Sequence, residues 1–422
     1  MDKYLLKTVI NDQHQLSSSE QLVSRELYEK IEPLLKNKQV LILSGIRRCG
    51  KSTLLSFIRS HNAEKEYWIN FDDDRLINFT LEDFQKLYEL FIEMYGIQNT
   101  FYFDEIQNIP GWERFIRRLH DQGNKIYITG SNASMLSVEL GTHLTGRHIE
   151  INLYPYSFRE YLVYSNKTNL RVGELTTEKQ GLLNSAFNDF LEEGGFPEYL
   201  EYKQPEYLQS LYKNILYRDI IVRHKIKSHH LLRELVYYLA SNIGKECSFS
   251  SLQRTLGLAS ATTVSDYCSY LQDCFLCFFI NRYDFSLKKQ LQSAKKVYFI
   301  DQALAAAVGF RFSEDKGRLL ENIVFLELKR RGNEIYYHQG EKECDFVTRE
   351  GLKITPAIQV TLSIENESTY KREISGLLDA LQSYDLKSGT IITQDAFAEE
   401  KIQIADKEYT IHCIPIWWWL SQ

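Results

Sequence analysis

The sequence predicts an α/β fold: a mostly parallel sheet with helices on both faces, followed by a helical stretch and a second region of helices and strands. Three observations predict it. Apolar runs of strand length alternate with helical periods through the first 153 residues. One of these runs, Gln39–Ser44, is apolar almost throughout, as a strand buried on both faces should be. A glycine-bearing loop follows it and leads straight into a helix.

In chain order, the first 36 residues read as a polar lead and an amphipathic helix over roughly Ser19–Leu35. The strand Gln39–Ser44 comes next, then the loop and a helix over Ser52–Ser60. Strands follow at Tyr67–Phe71, Thr100–Asp104, Lys125–Thr129 and Ile149–Leu153, with helices at Leu81–Tyr95 and Trp112–Gln122 between them. From about Phe158 to Ser241 helical periods dominate, broken at Gly194-Gly195-Phe196-Pro197. Residues 245–310 hold short helices and then alternating residues, and from Arg311 an amphipathic helix precedes further strands.

The 422 residues suffice for two or three domains with sizeable cores. A net charge of −6 argues against coating nucleic acid by bulk charge, though not against a local basic patch. No apolar run is long enough for a membrane span, and no signal peptide is seen. Seven scattered cysteines suggest reduced thiols and a cytoplasmic protein. Cys274 and Cys277 have CxxC spacing, but apolar neighbours and the lack of a second pair favour core packing over zinc.

Gly45-Ile46-Arg47-Arg48-Cys49-Gly50-Lys51-Ser52 has the G-x-x-x-x-G-K-[ST] spacing, between a strand and a helix. The glycines let successive N–H groups turn toward phosphate oxygens, and the helix N-terminus adds its positive end. Lys51 would neutralise the β- and γ-phosphates, and Ser52 would offer a hydroxyl to Mg²⁺. The cradle predicted for ATP is Gly45, Arg47, Arg48, Cys49, Gly50, Lys51, Ser52 and Thr53. Cys49 reads as a tolerated small residue rather than a redox sensor.

Phe101-Tyr102-Phe103-Asp104-Glu105 ends a strand in two acids, where open α/β sheets place ligand groups. Asp104 is assigned to the metal with Ser52, and Glu105 to polarising the attacking water. Thr129-Gly130-Ser131-Asn132 ends another strand; Ser131 or Asn132 is the candidate sensor of the γ-phosphate. Arg147, before the fifth strand, is a candidate arginine finger for a neighbouring subunit, so a homo-oligomer is expected.

Taken together, these motifs, with Leu144-Thr145-Gly146-Arg147, Glu193–Pro197 and Leu216–Ile221, resemble a group of prokaryotic AAA+-like P-loop ATPases. Members join that core to a winged helix and a C-terminal domain similar to PD-(D/E)xK restriction endonucleases. The resemblance implies an N-terminal helical lead at 1–36, an ATPase core at 37–157, a helical lid at 158–241, a winged helix at 242–310 and a nuclease-like domain at 311–422. It implies a second nucleotide sensor on the lid at Arg218 or Arg223, where ordinary ion pairing is the plainer reading. It also maps Glu321, Asp345 and Gln359 onto a degenerate nuclease-like site whose lysine position holds Thr361. Gln359 is a weak metal ligand and threonine carries no charge, so the expectation is a disarmed nuclease module or a lysine supplied from elsewhere.

The helix-turn-helix outline at Ser248–Tyr267 and the basic run Arg282, Lys288, Lys289, Lys295, Lys296 make duplex DNA a candidate partner, with a protein partner the alternative. Trp417-Trp418-Trp419 reads as packing. The expected function is ATP hydrolysis coupled to DNA or protein binding. The alternatives are an ATP-regulated metal-dependent nuclease and an ATP-binding scaffold with negligible turnover.

Overall fold

Parallel neighbours on both sides explain why the run after Gln39 is apolar from Val40 to Leu43. The computed structural model describes residues 1–16, 25–131, 146–171, 174–310, 316–351 and 353–422. Two units emerge: residues 1–154 with 273–275, and residues 155–272 with 276–422.

The described part of the first unit runs α1 (Lys3–Leu16), α2 (Glu26–Leu35), β1 (Val40–Ser44), α3 (Lys51–Ser60), β2 (Trp68–Asn70), α4 (Asp83–Tyr95), β3 (Thr100–Asp104), α5 (Trp112–Asp121), β4 (Lys125–Gly130) and β5 (His148–Asn152). The sheet is wholly parallel, in the order β2-β3-β4-β1-β5. β4 therefore stands between the strand that feeds the glycine loop and the strand that ends in the two acids. All of β1 and β3 is buried.

The polar lead is a correction. Lys3–Leu16 is a helix whose Leu6, Val9 and Ile10 are fully buried in the core with Ile69, Phe91 and Phe101. The i, i+3, i+4 spacing of those three residues is the amphipathic signal. Residues 17–24, the start of the helix expected at Ser19, lie outside the described residues.

In the second unit α6 (Phe158–Tyr164) opens with a full capping box between Ser157 and Glu160. α7 (Thr177–Glu193), α8 (Pro197–Tyr202), α9 (Pro205–Asn214), a π-helical stretch at Ile215–Val222, and α10 (His229–Ser241) follow. The Gly194-Gly195 break has a physical cause. Gly194 has φ +73°, and a Cβ there would stand 2.6 Å from the Asp301 carboxylate. That carboxylate accepts the N–H groups of Gly195 (2.7 Å) and Leu304 (2.8 Å), so it ties the break to the helix it caps, α14 (Gln302–Val308).

Before α14 come β6 (Glu246–Cys247), α11 (Phe249–Leu256), α12 (Ala261–Asp273), β7 (Cys277–Asn281), α13 (Leu287–Gln292) and β8 (Lys295–Phe299). Ser248 caps α11 and Gly257 ends it in the left-handed region. The strands form an antiparallel sheet, β6-β8-β7.

The chain then runs α15 (Lys316–Arg330), β9 (Glu334–Gln339), β10 (Glu343–Glu350), β11 (Lys353–Val360), α16 (Glu367–Ser383), β12 (Ser388–Thr393), β13 (Ala398–Ile404), β14 (Lys407–Pro415) and α17 (Ile416–Ser421). Its mixed sheet is ordered β13-β14-β12-β11-β10-β9. The helix expected to be amphipathic after Arg311 is instead buried continuously from Leu320 to Leu328. Its polar members are paired accordingly. Asn322 bonds both the N–H (2.7 Å) and the carbonyl (3.0 Å) of Phe299, and Glu327 meets Arg159 and Arg331, both at 2.9 Å. Trp417 is buried with Phe397 against it, and Arg331 stacks on Trp419. All seven cysteines are free, and no helix among the described residues is long and apolar enough to cross a membrane.

Candidate functional site

The loop after β1 turns on three residues with positive φ: Gly45 at 156°, Arg48 at 66° and Gly50 at 98°. Gly45 also lies so close to Leu153 that a Cβ would stand 2.2 Å from its carbonyl oxygen. Only glycine permits that approach of backbone to backbone. The Cys49 thiol donates to the same carbonyl at 3.4 Å, and burial raises its pKa, which suits packing rather than redox chemistry. Arg25, which sequence reasoning passes over, donates to the carbonyls of Cys49 (2.8 Å) and Tyr154 (2.6 Å) and so ties the loop to the segment after β5. No local pattern marks it, because both partners are distant in sequence.

Lys51, buried at the start of α3, donates to the loop carbonyls of Gly45 (3.0 Å) and Ile46 (3.1 Å). Its ammonium is 3.6 Å from Oε1 of Glu105. Ser52 and Arg48 are exposed, Arg47 and Thr53 half-buried. Arg47 stands 3.6 Å from Asp72.

The two acids differ. Asp104 accepts hydrogen bonds from the hydroxyls of Thr129 and Ser52. Burial, reinforced by the Glu105 charge, nevertheless pushes its carboxyl up to about 6. Burial also works against ionising Glu105, but the Lys51 and Arg47 charges outweigh it and hold that carboxyl below its ordinary value. Glu105 itself has φ +51°, a conformation that non-glycine residues seldom adopt. Its N–H donates to Thr129 at 2.9 Å. Gln107, two residues on, donates from Nε2 to Oε2 of Glu105 at 2.5 Å and to Ser131 at 3.5 Å. Gln107 stands in the run Phe103–Gln107 that carries the resemblance, but sequence reasoning gives it no role; in the structure it is a buried amide on the turn just after the acids.

The structure thus brings Gly45, Gly50, Lys51, Ser52, Asp104, Glu105 and Ser131 together at the carboxyl ends of β1, β3 and β4. Asn132, Leu144 and Thr145 lie outside the described residues. Arg147 is not brought there. It precedes β5 at the opposite end of the sheet, where its carbonyl accepts the Val40 N–H and its guanidinium pairs with Asp121 at 3.2 Å. Arg218 and Arg223 belong to the second unit, in and just after the π-helical stretch.

The second unit gathers a separate cluster. Nζ of Lys296 on β8 lies 3.3 Å from Glu321 on α15, 2.6 Å from Glu343 and 3.1 Å from Asp345, both on β10. This corrects the reading of Lys296 as a phosphate-contacting lysine, because only 2% of its side chain is exposed. Burial would lower the Lys296 pKa, but Glu321 and its neighbours override that and hold it well above its usual value. Gln359 on β11 accepts the Asp345 N–H at 3.2 Å and donates to Glu373 at 2.5 Å.

Comparison with other proteins agrees with the first unit's geometry. Residues 37–162 match the family model of an AAA domain, and residues 184–315 that of a domain of unknown function, DUF8612. An uncharacterized protein of Methanocaldococcus jannaschii, MJ1544, is 34% identical over 433 residues, covering 99% of this chain and 95% of its own. An uncharacterized protein of Haemophilus influenzae is 32% identical, covering 87% and 92%. Among solved structures, Cdc6p from Pyrobaculum aerophilum aligns at 12% identity with a TM-score of 0.27, over 77% of this chain and 98% of that one, a likeness too slight to carry an argument.

Proposed function

This chain belongs to one family with the protein MJ1544 of Methanocaldococcus jannaschii, and we propose that it binds and hydrolyses ATP at the loop 45–52. The observation that carries this reading is the meeting of Lys51, Ser52, Asp104 and Glu105 at one end of the sheet, in an AAA domain. Loop N–H groups and the start of α3 receive phosphate oxygens. Ser52 and Asp104, already hydrogen-bonded to each other, form an oxygen donor set that suits Mg²⁺. Bound there, Mg²⁺ would neutralise charge on the phosphates.

Glu105 orients water and accepts its proton. Its partner Lys51 is also the lysine that phosphate attracts. When Lys51 turns to phosphate, Glu105 loses the nearest cation that depresses its pKa and becomes the stronger base. Gln107 holds the other carboxylate oxygen in place. A catalytic role for Arg147 requires a second subunit, since in its own chain it occupies the far end of the sheet.

For the coupled partner we favour duplex DNA, bound by a winged helix spanning β6 to β8. The supporting observation is that Lys288 and Lys289 on α13 are exposed, close in sequence to the helix-turn-helix pair α11 and α12.

The test is steady-state phosphate release from ATP with Mg²⁺ by wild type, Lys51→Ala and Glu105→Gln, each with and without duplex DNA. Loss in both variants is expected, with stimulation of the wild type by DNA. ATP binding without turnover in every condition would replace this reading with that of a nucleotide-binding scaffold.

A further inference from the structure

We infer that Lys296 is the resident cation of the acid cluster Glu321, Glu343 and Asp345, standing where the nuclease resemblance implies a divalent metal, and that this cluster takes no Mg²⁺.

The argument starts from the oxygen atoms. Mg²⁺ demands a near-octahedral shell of oxygens and keeps several waters. Here one ammonium already lies within 3.3 Å of three carboxylates, and its side chain is 2% exposed. Two of the acids also accept from other protein donors. Oδ2 of Asp345 accepts the Val360 N–H at 3.0 Å. Oε1 of Glu321 also accepts the Tyr298 hydroxyl at 2.6 Å. The Gln359 carbonyl oxygen faces the Asp345 N–H, so the residue at the third ligand position serves the backbone.

Space is equally committed. A Cβ on Gly244, which has φ +73°, would stand 2.6 Å from Oε2 of Glu321. The loop before β6 therefore presses backbone against that oxygen. A hydrated ion on the same oxygens would stand against the Lys296 charge in a desolvated site, where like charges repel strongly. With the side chains as they stand around Lys296, no group of three or more His, Cys, Asp or Glu among the described residues has the arrangement to hold a metal ion.

The lysine absent at Thr361 is thus supplied from β8. It neutralises the cluster from within and joins the β6-β8-β7 sheet to the mixed sheet by an ion pair. The C-terminal region keeps the acids of a nuclease-like site while its cation is a side chain that cannot dissociate.

The experiment is Mn²⁺ binding to the full chain without nucleotide, followed by electron paramagnetic resonance and by thermal melting at fixed ionic strength. Wild type and Asp345→Asn should bind Mn²⁺ equally, and millimolar Mn²⁺ should move neither melting point. Lys296→Met should melt lower than wild type, gain a Mn²⁺ site that the wild type lacks, and recover melting temperature as Mn²⁺ replaces the lost cation. A wild-type Mn²⁺ site lost in Asp345→Asn would overturn the inference and make Lys296 the lysine beside a true metal centre. Unchanged melting and Mn²⁺ binding in Lys296→Met would overturn it as well. Should Lys296→Met fail to fold even in Mn²⁺, the comparison of wild type with Asp345→Asn decides alone.

Discussion

Nε2 of Gln107 donates to Oε2 of Glu105 at 2.5 Å, while Oε1 of the same carboxylate faces Lys51 at 3.6 Å. One oxygen is thereby fixed by a neutral amide, and the other faces a cation that the proposed mechanism has phosphate draw away. Gln107→Leu should lower kcat for ATP hydrolysis about tenfold and leave nucleotide affinity nearly unchanged, because the amide positions the base without touching phosphate. Glu105→Gln should cost more, about 10²–10⁴-fold. A Gln107→Leu variant with unaltered kcat and weakened binding would contradict this division of roles.

Asp104 sets a pH dependence. Its folded carboxyl is pushed up to about 6, against an ordinary 3.8, by burial and then by Glu105. A folded acid with a raised pKa binds more protons than the unfolded chain between these values. Its contribution to stability is therefore present below about 4 and lost as pH rises through about 6. The proposed binding of Mg²⁺ with nucleotide at Asp104 needs the ionised form. Below about pH 6 affinity should fall roughly tenfold per unit, with about one proton released per ion bound. Calorimetry at about pH 5.5 in two buffers of different ionisation enthalpy reads the proton count, and a count of zero would exclude Asp104 as the titrating ligand.

Much of this is legible in the sequence, for identifiable reasons. The glycine loop and the paired acids are local patterns, and β1, buried along its length, carries its own apolar signature. Arg25 leaves no signal because its partners, Cys49 and Tyr154, lie 24 and 129 residues away. Lys296 misleads for a related reason: a basic run looks solvent-facing, and only the tertiary fold shows which member turns inward to Glu321 and Asp345. The helix at 316–330 is recognisable but reads as amphipathic, because Glu321, Asn322 and Glu327 look like a polar face until their buried partners are known.

Arg25 supports the loop through backbone carbonyls. Arg25→Ala would leave the Cys49 and Tyr154 carbonyls short of a charged donor, at a residue only 6% exposed. A loss of about 1–3 kcal/mol is expected from the unmade bonds, read as a lower urea midpoint. Nucleotide affinity should weaken with it. Arg25→Lys should restore little, since one ammonium cannot span both carbonyls as the guanidinium fork does. Full stability in Arg25→Lys would show that charge alone, not the fork, holds the loop.

Gly194 tests the break between α7 and α8. Alanine there meets φ +73° and the Asp301 carboxylate at 2.6 Å together. Relief by moving Asp301 would free the Gly195 and Leu304 N–H groups that it accepts. Gly194→Ala should destabilise the second unit by roughly 1–3 kcal/mol, measured by chemical denaturation. Gly181→Ala, with nothing near its Cβ position, is the control and should be neutral or stabilising.

The proposed DNA contact rests on Lys288 and Lys289, the two exposed members of the basic run. Lys295 bonds Asn281, Lys296 is locked among acids, and Arg282 is only partly exposed. Each lysine that neutralises a phosphate releases counterions and steepens the dependence of affinity on salt by about 0.9 in the logarithmic slope. Lys288→Ala with Lys289→Ala should therefore weaken duplex binding at all sequences and flatten the salt slope by about two. Lys296→Met should leave that slope unchanged even where it alters stability. Measuring the slope from fluorescence anisotropy at several salt concentrations separates the two positions. An unchanged slope in the double variant would remove this surface from DNA recognition and turn the helix-turn-helix pair toward a protein partner.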